Sequence, residues 1–100
     1  MGPAPGLAWR SAEWLQRREV AGVAVDNWSC ERWPSTVPGS TAPFHQIAIR
    51  DVGLLLGEMF ILDELSRACA ADGVWDFLFS GTGLKITGAV GSPVTPIAVR

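Results

Sequence analysis

Histidine is almost absent from this sequence. His45 is the single one in 100 residues, so any metal-binding or acid-base role for an imidazole falls on it. Charge is sparse as well, with 18% charged residues and a net charge of -2. The basic residues are scattered rather than gathered on one stripe, which argues against a nucleic-acid partner. No apolar run approaches the roughly 20 residues of a membrane-spanning helix. The longest, Leu54 to Leu62, is interrupted by Glu58. The opening Met-Gly-Pro-Ala-Pro-Gly-Leu has neither the basic stretch nor the apolar core of a signal peptide, so a cytoplasmic location is expected. Cys30 and Cys69 stand in no C-x-x-C or metal-ligand spacing and are expected as free or buried thiols. Also missing are a G-x-S-x-G elbow, a G-x-G-x-x-G turn and a phosphate loop, which removes support for a serine nucleophile or a nucleotide cradle.

Apolar material, by contrast, is plentiful. Hydrophobic residues make up 48% of the chain and five are Trp, a composition of packed structure rather than disorder. A chain this short buries only roughly 65% of its unfolded surface, so its stability depends on something covering its apolar faces. Its pattern predicts one small α/β domain with no internal boundary.

Ser11 as a cap, Glu13 early and Arg17 and Arg18 late predict a helix over Ala12 to Arg18. Val20 to Val25 is a short continuous apolar run, the pattern of a strand buried on both faces. Asp26 and Asn27 end it. Two readings stand for this pair: a turn built on their own backbone bonding, or a substrate-side loop at the strand's carboxyl end. The Pro-rich stretch Trp28 to Pro43 predicts a long loop. Phe44, Ile47 and Ala48 predict a helix to Val52, with Gly53 as its left-handed stop and a strand at Leu54 to Gly57. Beyond it come a helix from Asp63 to near Gly73, a strand over Trp75 to Ser80 with Trp75 in the core, a turn at Gly81 to Gly83, a strand at Leu84 to Thr87, a loop from Gly88 to Pro93 and an apolar close at Ile97 to Val99.

His45 at the start of one of these helices reads either as a structural residue or as a ligand. Glu58 sharpens the second reading, because a carboxylate at the end of an apolar strand is costly to bury unless paired or bound to a cation. A helix advances about 1.5 Å per residue and a strand about 3.3 Å, so a reversal at Gly53 returns Glu58 past the level of His45. An imidazole nitrogen with a carboxylate oxygen suits Zn or Mn, although a catalytic zinc takes about three protein ligands.

The stretch His45-Gln46-Ile47-Ala48-Ile49, through Gly53 to Gly57-Glu58, resembles the segment of cyclase-family hydrolases, the kynurenine formamidase-like (arylformamidase-like) group, that supplies a His and a Glu to the second metal position. Ser11-Ala12-Glu13-Trp14-Leu15, Ala24-Val25-Asp26-Asn27-Trp28, Leu62-Asp63-Glu64-Leu65, Asp72 to Phe77 and Thr87 to Val99 are similar to flanking stretches, so the resemblance runs from about residue 6 to the end. It implies the C-terminal portion of a swivelling β/β/α fold, hydrolysis of a small-molecule amide or cyclic amide, and a homo-oligomer or a complementing chain. His45 and Glu58 would be the metal ligands of a Zn or Mn cofactor once the site is completed. The family's H-x-G-T-H-x-D-x-P-x-H motif is absent from these 100 residues. The alternative is a non-catalytic interaction or regulatory module derived from the same fold.

Overall fold

In the computed structural model, which describes residues 2–100, the first regular element is helix α1, Ser11–Arg17. It begins one residue before the expected start, and Ser11 is not its cap. Arg10 holds the N-cap position without a side-chain bond. The first amides instead turn back to the Ala8, Trp9 and Arg10 carbonyls, so they need no hydroxyl. Ala12 and Leu15 are the buried face of α1, and Glu13 pairs with Arg17 on the exposed one.

The chain divides into two compact units, Met1–Ile61 and Leu62–Arg100. In the first, strand β1, Gly22–Ala24, lies parallel to β2, Leu55–Gly57, with Val23 opposite Leu56. Parallel neighbours require a crossover, and here it carries a helix. Helix α2, Pro43–His45, has Pro at its first position, where the missing amide costs nothing, and widens into a π-helix, Gln46–Val52. Gly53 stops it at φ 76°, donating its amide to the Ala48 carbonyl, the left-handed stop expected from sequence. Phe44 and Ala48, one turn apart, are fully buried among Ala12, Leu15, Cys30 and Leu54.

β1 is shorter than the expected Val20 to Val25 and is not buried on both faces. Val23, Val25 and Leu56 pack on the core, whereas Gly22, Ala24 and Leu55 are exposed, so one side of this two-stranded sheet is open. The long loop is ordered by bridges from Ala4 to Trp33 and from Leu7 to Glu31.

The second unit holds α3, Asp63–Asp72, ended at Gly73 with φ 74°, and an antiparallel ribbon of β3, Leu78–Gly83, and β4, Val94–Val99. Four expectations change here, the first being the strand's start, at Leu78 rather than Trp75. Gly81 and Gly83 do not turn the chain but pair with Pro96 and Val94, since they admit the Phe79 ring and the Ser92 hydroxyl where a Cβ would stand 2.8 and 2.7 Å from them. Leu84 to Thr87 is the start of the connection rather than a strand, closed by amide bonds from Ile86 to Leu84 and from Ala89 to Ile86. Trp75 is exposed, not a core residue. Among the described residues no helix is long and apolar enough to cross a membrane.

Candidate functional site

Glu58 follows β2 directly, and the backbone around it is tied to the segment after β1. The Val25 amide bonds to the Gly57 carbonyl, the Phe60 amide to Val25 and the Met59 amide to Asn27. The site therefore stands at the carboxyl ends of two parallel strands, where open α/β sheets present ligands. His45 arrives from the other direction, at the third residue of α2. Its Nε2 lies 3.3 Å from Glu58 Oε1, so the two residues singled out from sequence do meet. That approach is within ion-pair range without being a hydrogen bond, and Glu58 Oε1 is buried without a hydrogen-bond partner.

The other ring nitrogen is held by a residue that sequence reasoning missed. Nδ1 is 2.6 Å from Glu31 Oε1. Glu31 is only 2% exposed, and its carboxylate also accepts the backbone amides of Phe44 at 3.1 Å and His45 at 3.0 Å. These are two of the orphan amides at the start of α2, so Glu31 caps that helix from a distant loop, where negative charge also suits the helix dipole. Both Glu31 oxygens already accept amide protons. A carboxylate only accepts, so Nδ1 is assigned as the donor, and Nε2 is the ring nitrogen left facing Glu58. No local pattern marks Glu31 in the sequence, because the capped helix begins twelve residues later.

The loop carrying Glu31 is fixed by close contacts. The Asn27 side chain accepts the amides of Ser29 at 3.2 Å and Cys30 at 2.8 Å, and it donates to the Pro5 carbonyl at 2.6 Å. Asn27 thus builds the turn, and Asp26 beside it is exposed. A Cβ at Gly6 would fall on the Glu31 backbone and 2.7 Å from the Arg32 nitrogen, so only glycine allows the N-terminal segment this close. Both cysteines are free and buried, as expected. Burial, then the charges of Glu58 and Glu31, push the Cys30 thiol up from 9.0 to about 11, so it is a packed thiol and not a nucleophile.

Trp28, Ser29, Trp33, Ala42, His45 and Glu58 line an open cleft of about 240 Å³. Trp28 and Trp33 meet edge to face, with ring centroids 5.8 Å apart, and give it an aromatic wall. Neither Asp26 nor Asn27 is among the lining residues.

The resemblance to cyclase-family hydrolases implies a divalent metal, and the donor atoms present fit part of one site. Two ligands at about 2.0–2.2 Å on a tetrahedral ion stand about 3.3–3.5 Å apart, the spacing found between Nε2 and Oε1. The buried Oε1, which makes no hydrogen bond, is the kind of atom a cation would satisfy. No group of three or more His, Cys, Asp or Glu side chains able to hold a metal occurs among the described residues. His45 Nε2 and Glu58 Oε1 are the two donor atoms that the described residues bring together here.

No family model matches the chain, and no curated protein matches it. Among solved structures, the crystal structure of a novel cyclase matches with a TM-score of 0.87 and 40% sequence identity, over 99% of this chain and 31% of that one. This chain thus spans less than a third of that neighbour's length. The likeness establishes a mixed helix and strand fold of the kind found in that cyclase, and it supports a cyclase kinship.

Proposed function

We propose that this chain is the C-terminal portion of a cyclase-family, swivelling β/β/α metal-dependent hydrolase acting on amide or cyclic amide bonds, and that His45 and Glu58 supply two ligands of its Zn or Mn centre. One observation carries the reading: a buried carboxylate oxygen that makes no hydrogen bond, 3.3 Å from an imidazole nitrogen whose other nitrogen is already held. When bound, the ion would supply Lewis-acid activation of a carbonyl group and of water. The chain's own residues bind and exclude. His45 offers Nε2, Glu58 offers Oε1 and the charge a divalent cation demands, and Trp28 and Trp33 shield one side of the cleft from water. Asp26 and Asn27 belong to the loop that carries Trp28 and Ser29 into that cleft.

A catalytic zinc takes about three protein ligands, so the remainder come from residues outside these 100, in a complementing chain or a longer one. The purified chain should accordingly hydrolyse no arylformamide or cyclic amide above background. Mixed with a cyclase-family N-terminal half, it should gain Zn- or Mn-dependent turnover that His45→Ala and Glu58→Gln each remove. Turnover by the chain alone that survives His45→Ala would contradict the assignment. A non-catalytic interaction module is the second reading, favoured by the β3–β4 ribbon, exposed along both strands. Failure of every mixture to turn over substrate, with stable complex formation, would select it.

A further inference from the structure

The arrangement around His45 contains more than two donor atoms. Glu31 is buried, lies fourteen residues before His45 in sequence, and binds His45 twice, through the backbone amide at 3.0 Å and through Nδ1 at 2.6 Å. Binding the amide fixes where the residue sits on α2, and binding Nδ1 fixes how the ring is turned and which nitrogen carries the proton. A cap alone would need only the backbone amides of Phe44 and His45. The ring contact is additional, and its consequence falls entirely on Nε2, the atom facing Glu58 and the cleft.

We propose that Glu31 is a positioning residue for His45, holding Nδ1–H so that the imidazole presents a preoriented Nε2 as a cation ligand. Its link to the cation rests on the function proposed above, whereas the hold on the ring does not. The chemistry is that of a carboxylate, an imidazole and a metal in series, in which the outer carboxylate fixes the tautomer and raises ligand basicity. Because the Glu31 loop is pinned by Gly6 and by Asn27 and the carboxylate also accepts the Phe44 and His45 amides, it is itself held against following a rotating ring.

A chain with one histidine makes the test direct. Histidine-selective ¹⁵N labelling yields a single imidazole, whose two nitrogen shifts and two-bond proton couplings report which nitrogen is protonated. At a pH of about 9, well above the ordinary imidazole range, the wild-type chain should show the Nδ1–H form. Glu31→Gln and Glu31→Ala should move it toward a mixture or the Nε2–H form, with the amide spectrum otherwise retaining its dispersion. In parallel, Zn²⁺ affinity of the chain mixed with a cyclase-family N-terminal half, measured by equilibrium dialysis, should fall about ten- to a hundredfold in Glu31→Gln.

A wild-type ring in the Nε2–H form overturns the proposal without recourse to any variant, so a variant that fails to fold does not shield it. An Nδ1–H ring that stays so in both Glu31 variants also overturns it, since a mere cap would change stability and leave the tautomer alone. If the tautomer responds to Glu31 but the chain mixed with a cyclase-family N-terminal half binds no Zn²⁺, the positioning role stands and the metal reading fails.

Discussion

At the residue scale, the consequences of Glu31 and Cys30 are opposite in kind. Removing the Glu31 carboxylate strands the Phe44 amide in a buried setting and the His45 amide in a part-buried one. Glu31→Ala should therefore cost about 1–3 kcal/mol in urea unfolding. An unchanged midpoint would show that water takes over both amides without penalty. Cys30 instead gives the chain a pH dependence. Its folded thiol holds a proton up to about 11 against an ordinary 9.0, so the folded state binds more protons than the unfolded state across that window. Stability of the metal-free chain should be insensitive to this group below pH 9 and should fall as pH rises from 9.0 toward 11. Cys30→Ala should flatten that limb of a pH series, and an equally steep limb in the variant would assign it elsewhere.

At the element scale, the helix that delivers His45 depends on its ends. Gly53 stops the π-helix at φ 76°, a conformation that L side chains rarely adopt, and open space surrounds it. Gly53→Ala should thus cost about 1 kcal/mol from backbone strain alone. Gly6→Ala should cost more, because its methyl would collide with backbone that cannot move without displacing Glu31. The reverse order in urea midpoints would mean that the N-terminal segment is free to shift.

This segment also shows what was legible in the sequence. The run from Phe44 to Gly57 states its own structure, because helical spacing, a glycine stop and a short apolar strand are local signals, and their lengths alone bring Glu58 back to His45. Glu31 was illegible because its partners are amides of a helix that begins beyond a Pro-rich loop. The β3–β4 ribbon was misread because Gly81 and Gly83 have the composition of a turn, and only the placement of Phe79 and Ser92 explains them as strand residues.

At the scale of the whole molecule, the second unit leaves apolar surface uncovered. Leu78 and Val99 are register partners on one face of the ribbon, with Ile97 two residues along on the same face, and they are 71%, 55% and 54% exposed. An isolated two-stranded ribbon is marginal in water. The purified chain should therefore associate, with sedimentation that shifts upward as concentration rises, and Leu78→Lys with Ile97→Lys should reduce that shift. Monomeric sedimentation at every concentration, with a sharp melting transition, would contradict this account of the ribbon.

The central claim is that His45 and Glu58 are two ligands of one ion, and a double-mutant cycle of Zn²⁺ binding tests it most directly. Equilibrium dialysis of the wild-type chain, His45→Ala, Glu58→Gln and the double variant, each mixed with a cyclase-family N-terminal half, gives four affinities. Glu58→Gln preserves shape while removing the charge a divalent cation requires, which separates coordination from packing. The account predicts that each single substitution lowers affinity at least about tenfold and that the double variant binds hardly worse than the weaker single one, because a site that has lost one ligand has little left for the second to lose. Losses that add, or affinity unchanged in either single variant, would mean that the two side chains do not share an ion.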